Sequence, residues 1–247
     1  MPKTVKTPNR IPRFHLPPQE ITKDAVIIRG QDFRHIVKSL RLGVGSALTL
    51  FGGTGIEYGG VITSVGPRFL EVRIGSSESV DRESPLRITL FQAIARGEKM
   101  DAVIEKTTEL GVSAIVPVIT ERTQVKGTRR VPRWRRVAVE AAKQSGRTSP
   151  PEVFEPVEFA QALEMQKTTG PGVLFYERGK KRFSSKELKS KQSVSIFTGP
   201  EGGFSEAEVE EAHKSGCRVH SLGPRILRTE TAGIVAVALL QHALGDL

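Results

Sequence analysis

Two short stretches near the C-terminus hold the residue types that could do chemistry. The first runs Thr198-Gly199-Pro200-Glu201-Gly202-Gly203-Phe204-Ser205. The second runs Ser221-Leu222-Gly223-Pro224-Arg225-Ile226-Leu227-Arg228-Thr229-Glu230-Thr231-Ala232-Gly233. Glycine has no Cβ and tolerates positive φ, so loops this rich in it let backbone approach a ligand closely. Each stretch reads as a strand, a Gly-Pro loop and a helix. Two in succession imply one site built from both. Glu201, Arg225, Arg228, Thr229, Glu230 and Thr231 stand beside it: acids and arginines, with no nucleophile among them. Such a site suits group transfer achieved by positioning.

Other chemistries are excluded by pattern. There is no GxxxxGK[ST] and no GxGxxG, and a glutamate inside the first glycine loop opposes binding a phosphate there. No GxSxG nucleophile elbow occurs. The histidines at 15, 35, 213, 220 and 242 have no ligand spacing, so no metal is expected. Cys217 reads as a small buried apolar residue.

The elements that must position these residues alternate between strand and helix from residue 87 onward. Strands are expected over 87–95, 114–119, 173–176, 194–197 and 218–222. Helices are expected over 98–110, from Pro132 to about 145, over 159–165, from the Ser205/Glu208 capping box to about 215, and over 229–244. Gly111 stops the first helix. Trp134, Val137 and Ala141 share the apolar face of the second. The pattern is that of an α/β domain with a largely parallel sheet, whose ligands bind at the carboxyl ends of the strands. The last helix carries apolar residues on nearly every side and must be buried on several, by its own domain or by a second subunit.

Residues 11–75 read differently. Runs at 25–29, 47–51, 56–65 and 69–74 are short strands separated by glycine turns, with Asp32 capping a helix through Phe33, Ile36, Val37 and Leu40. They form a small β-barrel. Residues 76–85, polar and without periodicity, read as a linker. The domains are therefore 1–77 and 84–247.

The chain has 247 residues and a formal net charge of +10, which points to a polyanionic partner. Basic residues cluster in the first domain at Arg10, Arg13, Arg29, Arg34, His35, Lys38 and Arg41, a phosphate-tracking surface if they act together and a solvated face if they do not. No apolar run nears the ~20 residues that span a bilayer. The N-terminus lacks the apolar core of a secretory signal, and a lone cysteine suits a reducing cytoplasm.

The motifs GPEGGFS (199–205) and LGPRILRTETA (222–232) resemble the C-terminal signature of the RsmE family, in the SPOUT superfamily of methyltransferases. Upstream, 98–112, Thr120-Glu121-Arg122 and 140–147 match that family in order. Residues 34–45 are similar to its PUA-like barrel. The resemblance covers nearly the whole chain. It implies a cytoplasmic enzyme that methylates N3 of a uridine in small-subunit (16S) ribosomal RNA with S-adenosylmethionine. It also implies a deep trefoil knot over roughly 173–230 and a homodimer with the site near the subunit interface, and neither membrane nor metal. Thr198, Gly199, Gly202, Leu222, Gly223, Ile226 and Leu227 would hold the cofactor. Arg228, with Arg225 second, would stabilise the charge left when N3 loses its proton, and Glu201 or Glu230 would accept that proton. Arg13, Arg34, Lys38, Arg41, Arg122 and Arg225 would contact RNA, with arginines 129, 130, 133, 135 and 136 along the same track.

Simpler roles stand beside these. The glycines could serve turn geometry alone, and Leu222, Ile226 and Leu227 the core. Glu201 could cap a helix or pair with a lysine. Glu230 could serve the dipole of its helix. Trp134 could be core, interface or a base-stacking platform. Two rival functions remain: a non-catalytic RNA-binding protein, and a SPOUT methyltransferase acting on transfer RNA or a ribose 2′-hydroxyl.

Overall fold

The computed structural model describes residues 11–22, 24–124, 127–188 and 192–247. Arg10 lies outside them. The chain divides into two compact units. The first ends at Arg82 and takes in Gly146–Ser149; the second comprises Glu83–Ser145 and Pro150–Leu247.

In the first unit, β1 (Arg13–His15), β2 (Ala25–Arg29), β3 (Ala47–Phe51), β4 (Ile56–Val65) and β5 (Phe69–Ser79) form one sheet in the order β1-β3-β4-β5-β2. β1 runs parallel to β3, and the other pairings are antiparallel. Register shifts at Gly59/Gly60 and Ile62/Ser64 bend the long β4–β5 hairpin. Inward residues such as Phe14, Ile28, Leu48, Leu50, Ile62 and Val72 make the core.

Two expectations fail here. The linker is not a linker at its start, because Ser76–Ser79 continue β5, with Ser76 opposite Gly59 and Ser79 opposite Ile56. Every residue from Gly75 to Ser79 is exposed, so no face imposes the alternation by which a strand is read. Asp32 does not cap its helix either. Helix α1 (Gly30–Arg34) has Arg29 at its N-cap, with no side-chain cap, and widens into a π turn over His35–Ser39. The Leu40 N–H then reaches back five residues to the His35 carbonyl. The wider turn rotates Leu40 off the buried face, leaving it 39 % exposed while Phe33 and Ile36 stay inside.

The second unit follows the predicted alternation. Its elements are β6 (Arg87–Ala93), α2 (Lys99–Glu109), β7 (Ala114–Ile119), α3 (Val131–Ser145), β8 (Glu152–Val153), β9 (Val157–Glu158), α4 (Phe159–Thr169), β10 (Gly172–Phe175), β11 (Ser193–Thr198), α5 (Glu206–Lys214), β12 (Arg218–His220) and α6 (Thr229–Leu244). The sheet is parallel throughout, in the order β12-β10-β11-β6-β7-β8, with β9 also on β7. Both faces are covered, so its strands are apolar on both sides. Ile88, Leu90, Ile115, Val194 and Ile196 pack with α2, α3 and α6. Phe91, Val116, Val118 and Phe197 point the other way, toward α4 and α5. Phe91 and Phe197 stack with centroids 4.5 Å apart.

Two local predictions hold in detail. Ser205 Oγ accepts from the Glu208 N–H while the Glu208 carboxylate accepts from the Ser205 N–H, completing the capping box. Gly111 takes φ +84 at the end of α2. Helix α6 is more open than its composition implies. Gly233, Ala236, Val237 and Leu240 are buried, but Ile234, Val235 and Ala238 are only half-buried and Leu239 is 39 % exposed.

Candidate active site

The first glycine loop leaves the end of β11. The Gly203 N–H donates to the Pro200 carbonyl at 2.9 Å, and Gly203 takes φ +67. A Cβ there would stand 3.0 Å from Glu177 Oε1, so glycine lets the 177 carboxylate lie against the loop. The second loop leaves β12 and enters α6 at Arg228, whose extended backbone forms the N-cap.

A buried chain of hydrogen bonds joins the loops. Thr229 Oγ1, in the first turn of α6, donates to the Gly199 carbonyl at 2.5 Å. Gln92 Nε2, on β6, donates to Thr229 Oγ1 at 3.0 Å, and Thr198 Oγ1 donates to Gln92 Oε1 at 2.7 Å. All three side chains are buried. Polar groups enclosed this way hold their partners in one arrangement, because breaking any bond leaves a desolvated orphan. Gly233 makes room for the network, since a Cβ on it would stand 2.6 Å from Gln92 Oε1.

The loops thereby form one cleft of about 360 Å³, at the carboxyl ends of the parallel strands. Phe175, Tyr176, Leu222 and Leu227 supply apolar wall, and Gly199, Pro200, Gly203 and Gly223 supply backbone. Lys99, Glu177, Glu201, Arg225 and Arg228 supply charge. Ile226 lines the same cleft and is 82 % exposed.

The carboxylates are not alike. Glu201 Oε1 accepts from Lys99 Nζ at 2.8 Å and from the Arg96 N–H at 3.1 Å. Partial burial pushes its carboxyl up. The hydrogen bond from Lys99, those from its own backbone N–H and from that of Arg96, and the Lys99 charge together outweigh the burial and hold the group below the usual carboxylate range. Glu230 Oε2 is buried without a hydrogen bond, 3.8 Å from the same Lys99 Nζ.

Of the residues singled out in the sequence, Gly199, Glu201, Leu222, Gly223, Arg225, Ile226, Leu227 and Arg228 line the cleft. Thr198 lies behind it, its hydroxyl spent on Gln92. Gly202 faces Arg122, which donates to the carbonyls of Gly202 at 2.9 Å and Phe204 at 3.4 Å. Arg34, Lys38 and Arg41 are exposed on the first unit, Arg41 at φ +55. Arg13 is committed internally. Its guanidinium pairs with Glu57 at 2.5 Å, donates to the carbonyls of Gly146 and Arg147, and lies over the Phe51 ring. Arg130 bonds the Gly97 carbonyl, Arg133 bonds Asp101, and Arg135 bonds the Val153 carbonyl. Trp134 is 1 % exposed, so it belongs to the core and offers no stacking face.

The sequence reading missed Gln92, Lys99 and Glu177 as site residues. Gln92 had a signal, an amide directly after the apolar run Ile88-Thr89-Leu90-Phe91 in strand β6. Lys99 lies in the stretch 98–112 that resembles the family, but nothing there marked it for the site. Glu177 had no signal, because it meets the loops only through the fold. Among the described residues no group of three or more His, Cys, Asp or Glu is placed to hold a metal, and no helix is long and apolar enough to cross a membrane.

Residues 82–241 match the family model of the RNA methyltransferase domain, and residues 28–75 that of the RNA methyltransferase PUA domain. Ribosomal RNA small subunit methyltransferase E of Bacillus subtilis is 32 % identical over 87 % of this chain and 89 % of its own. The chain belongs to the small-subunit methyltransferase E family. The fold agrees with that membership. A Legionella pneumophila protein solved with the bound cofactor SAM is 36 % identical and superposes with a TM-score of 0.90 over 96 % of this chain and 100 % of its own. The methyltransferase E of Neisseria gonorrhoeae, bound to S-adenosyl methionine, is 34 % identical, with a TM-score of 0.86 over 96 % and 99 %.

Proposed function

We propose that this chain methylates N3 of a uridine in small-subunit ribosomal RNA, with S-adenosylmethionine as donor. The observation that carries the reading is the Thr229–Gly199 bond, which makes the two family loops into a single cleft. The cleft suits such a cofactor. Ile226, 82 % exposed at the wall, is an apolar side chain awaiting a flat apolar face, and Leu222 and Leu227 stand beside it. These residues and the loop's backbone groups would hold the adenine, and Gly199 would allow close approach at the other loop.

When bound, the cofactor supplies an electrophilic methyl group on a sulfonium that is already a good leaving group. The protein's part is to position the base, to take its N3 proton and to hold the charge that spreads onto O2 and O4. Arg228, exposed at the cleft, is the donor for that charge, as in an oxyanion hole. We assign Glu230 as the proton acceptor through a water and not directly, since it stands outside the cleft lining and its Oε2 is buried. Its Oε2 carries no hydrogen bond, whereas Glu201 is held ionised by Lys99. Glu201 then serves to position Lys99.

Three further elements belong to this reading. A knot over about 173–230 is proposed on family membership; Ser221, where the second loop leaves β12, is hydrogen-bonded to Lys181 and Phe183. A homodimer is supported by the half-open apolar flank of α6. RNA contact by the first unit is supported by exposed Arg34, Lys38 and Arg41. A cytoplasmic location follows from the substrate.

The test is to treat unmethylated small subunits with the enzyme and labelled cofactor, digest the ribosomal RNA and identify the nucleoside. Labelled 3-methyluridine is expected. A 2′-O-methyl nucleoside, label in transfer RNA alone, or no cofactor binding would overturn the reading.

A further inference from the structure

Residues 177–182 read Glu-Arg-Gly-Lys-Lys-Arg, and nothing in the scheme above uses the four cations among them. Arg178, Lys180, Lys181 and Arg182 are all exposed. Most basic runs are solvated and carry nothing. This one is fixed to the fold. The Tyr176 N–H donates to the His220 carbonyl at 2.9 Å, the Ser221 N–H to the Lys181 carbonyl at 2.8 Å, and the Phe183 N–H to the Ser221 carbonyl at 3.0 Å. Gly179 lets the segment lie flush, because a Cβ there would stand 2.9 Å from the backbone of His220 and Ser221. The backbone bearing the four cations is thus held in place.

Its two ends meet the methyl-transfer site. Glu177 lines the cleft. Arg182 Nη2 lies 3.7 Å from where a Cβ on Gly223 would be, beside the second glycine loop. Between them, Arg178, Lys180 and Lys181 border a separate open groove of about 830 Å³ against α5, to which Lys214 and Arg218 add charge. The acids in that groove are Glu206, 3.7 Å from Arg178, and Glu210, 2.9 Å from Lys214. Lys180, Lys181 and Arg182 form no ion pair among the described residues.

We infer that residues 178–182 are a phosphate track that seats the RNA backbone on the β12 side of the cleft. A small anion would need cations that converge on one point. These are spaced along an exposed segment, which suits a polymer whose charges repeat. The inference rests on the RNA methyltransferase reading and adds to it where the strand runs beside the site.

The test is a Lys180→Glu/Lys181→Glu variant of the full chain, with binding of a fluorescent oligouridylate followed by anisotropy across a salt series. Each phosphate contact on a single strand contributes about 0.7 to the slope of log affinity against log salt, so losing two should flatten it by about 1.4. Affinity at low salt should fall about tenfold or more. S-adenosylmethionine titration by calorimetry should give the wild-type constant, which shows the variant folded. A Lys180→Gln/Lys181→Gln variant should flatten the slope similarly with a smaller loss of affinity. Wild-type slope and affinity in both variants would overturn the track, while leaving wild-type methylation, and so the proposed function, intact. A wild-type protein that binds oligouridylate without salt dependence would overturn the track as well.

Discussion

Thr229 Oγ1 stands 2.5 Å from the carbonyl oxygen of Gly199. The first turn of the last helix is thereby tied to the first glycine loop, thirty residues earlier. A Thr229→Val substitution keeps the shape and removes the donor. It takes one of the two acceptors from the buried Gln92 amide, which keeps the Ala93 carbonyl, and leaves the Gly199 carbonyl without its hydroxyl. The expected cost is about 1–3 kcal/mol of stability in urea melts, with cofactor affinity about tenfold weaker by calorimetry. Thr229→Ser should restore both. Wild-type affinity in the valine variant would show that the loops hold together without this bond.

Gly233→Ala tests the same network from the helix side. Alanine favours a helix over glycine by up to about 1 kcal/mol. Against that, its Cβ would meet Gln92 Oε1 at 2.6 Å, and that oxygen accepts from Thr198. Displacing a buried amide costs about 1–3 kcal/mol per bond lost. Net destabilisation of roughly 1–2 kcal/mol is therefore expected. A gain in stability would mean that Gln92 moves freely.

Much of this was legible in the sequence, and the failures have physical causes. The parallel sheet could be read from apolar runs alternating with helical periodicity, because both sheet faces are buried and each strand had to be apolar. The extension of β5 through Ser79 could not, because an exposed strand end has no inside to alternate with. The two glycine loops announced a site through composition alone. What joins them did not show, since Gln92, Thr229 and Lys99 lie far apart in the chain and converge only on folding. Arg13 shows the opposite error. Its charge suggested RNA, but Glu57 and the carbonyls of Gly146 and Arg147 already take its guanidinium.

Arg228→Ala should separate binding from catalysis. If Arg228 stabilises charge that develops only as N3 loses its proton, its loss lowers turnover by about 100-fold or more. Cofactor affinity, which the proposed function assigns to Leu222, Ile226 and Leu227, should stay within a few-fold. Normal turnover in this variant would remove Arg228 from the chemistry and turn attention to Arg225.

The Glu201–Lys99 pair predicts an acid-limb effect. The Glu201 carboxyl lies below its ordinary value of 4.5 in the folded chain. A depressed carboxylate contributes stability that is present above its unfolded pKa and is lost as pH falls through its folded one. Glu201→Gln should therefore make the melting temperature less sensitive to pH below about 4.5 than in the wild type. Identical acid limbs would mean that the pair is too well screened to matter.

Cys217 gives the alkaline counterpart. Burial pushes its thiol from 9.0 up to about 11. The side chain is 2 % exposed, with its sulfur 3.4 Å from Gln166 Oε1. A pKa raised on folding contributes stability that is complete below the unfolded value and is lost as pH rises toward the folded one. Between pH 9.0 and about 11 the wild type should therefore lose stability that Cys217→Ala does not lose. Near neutral pH the alanine variant should be the less stable of the two, because it leaves a small cavity. The thiol should react with Ellman's reagent only as the chain unfolds, so its labelling rate should follow urea concentration. Rapid labelling of the native protein would mean that the sulfur is open to solvent and its pKa unshifted.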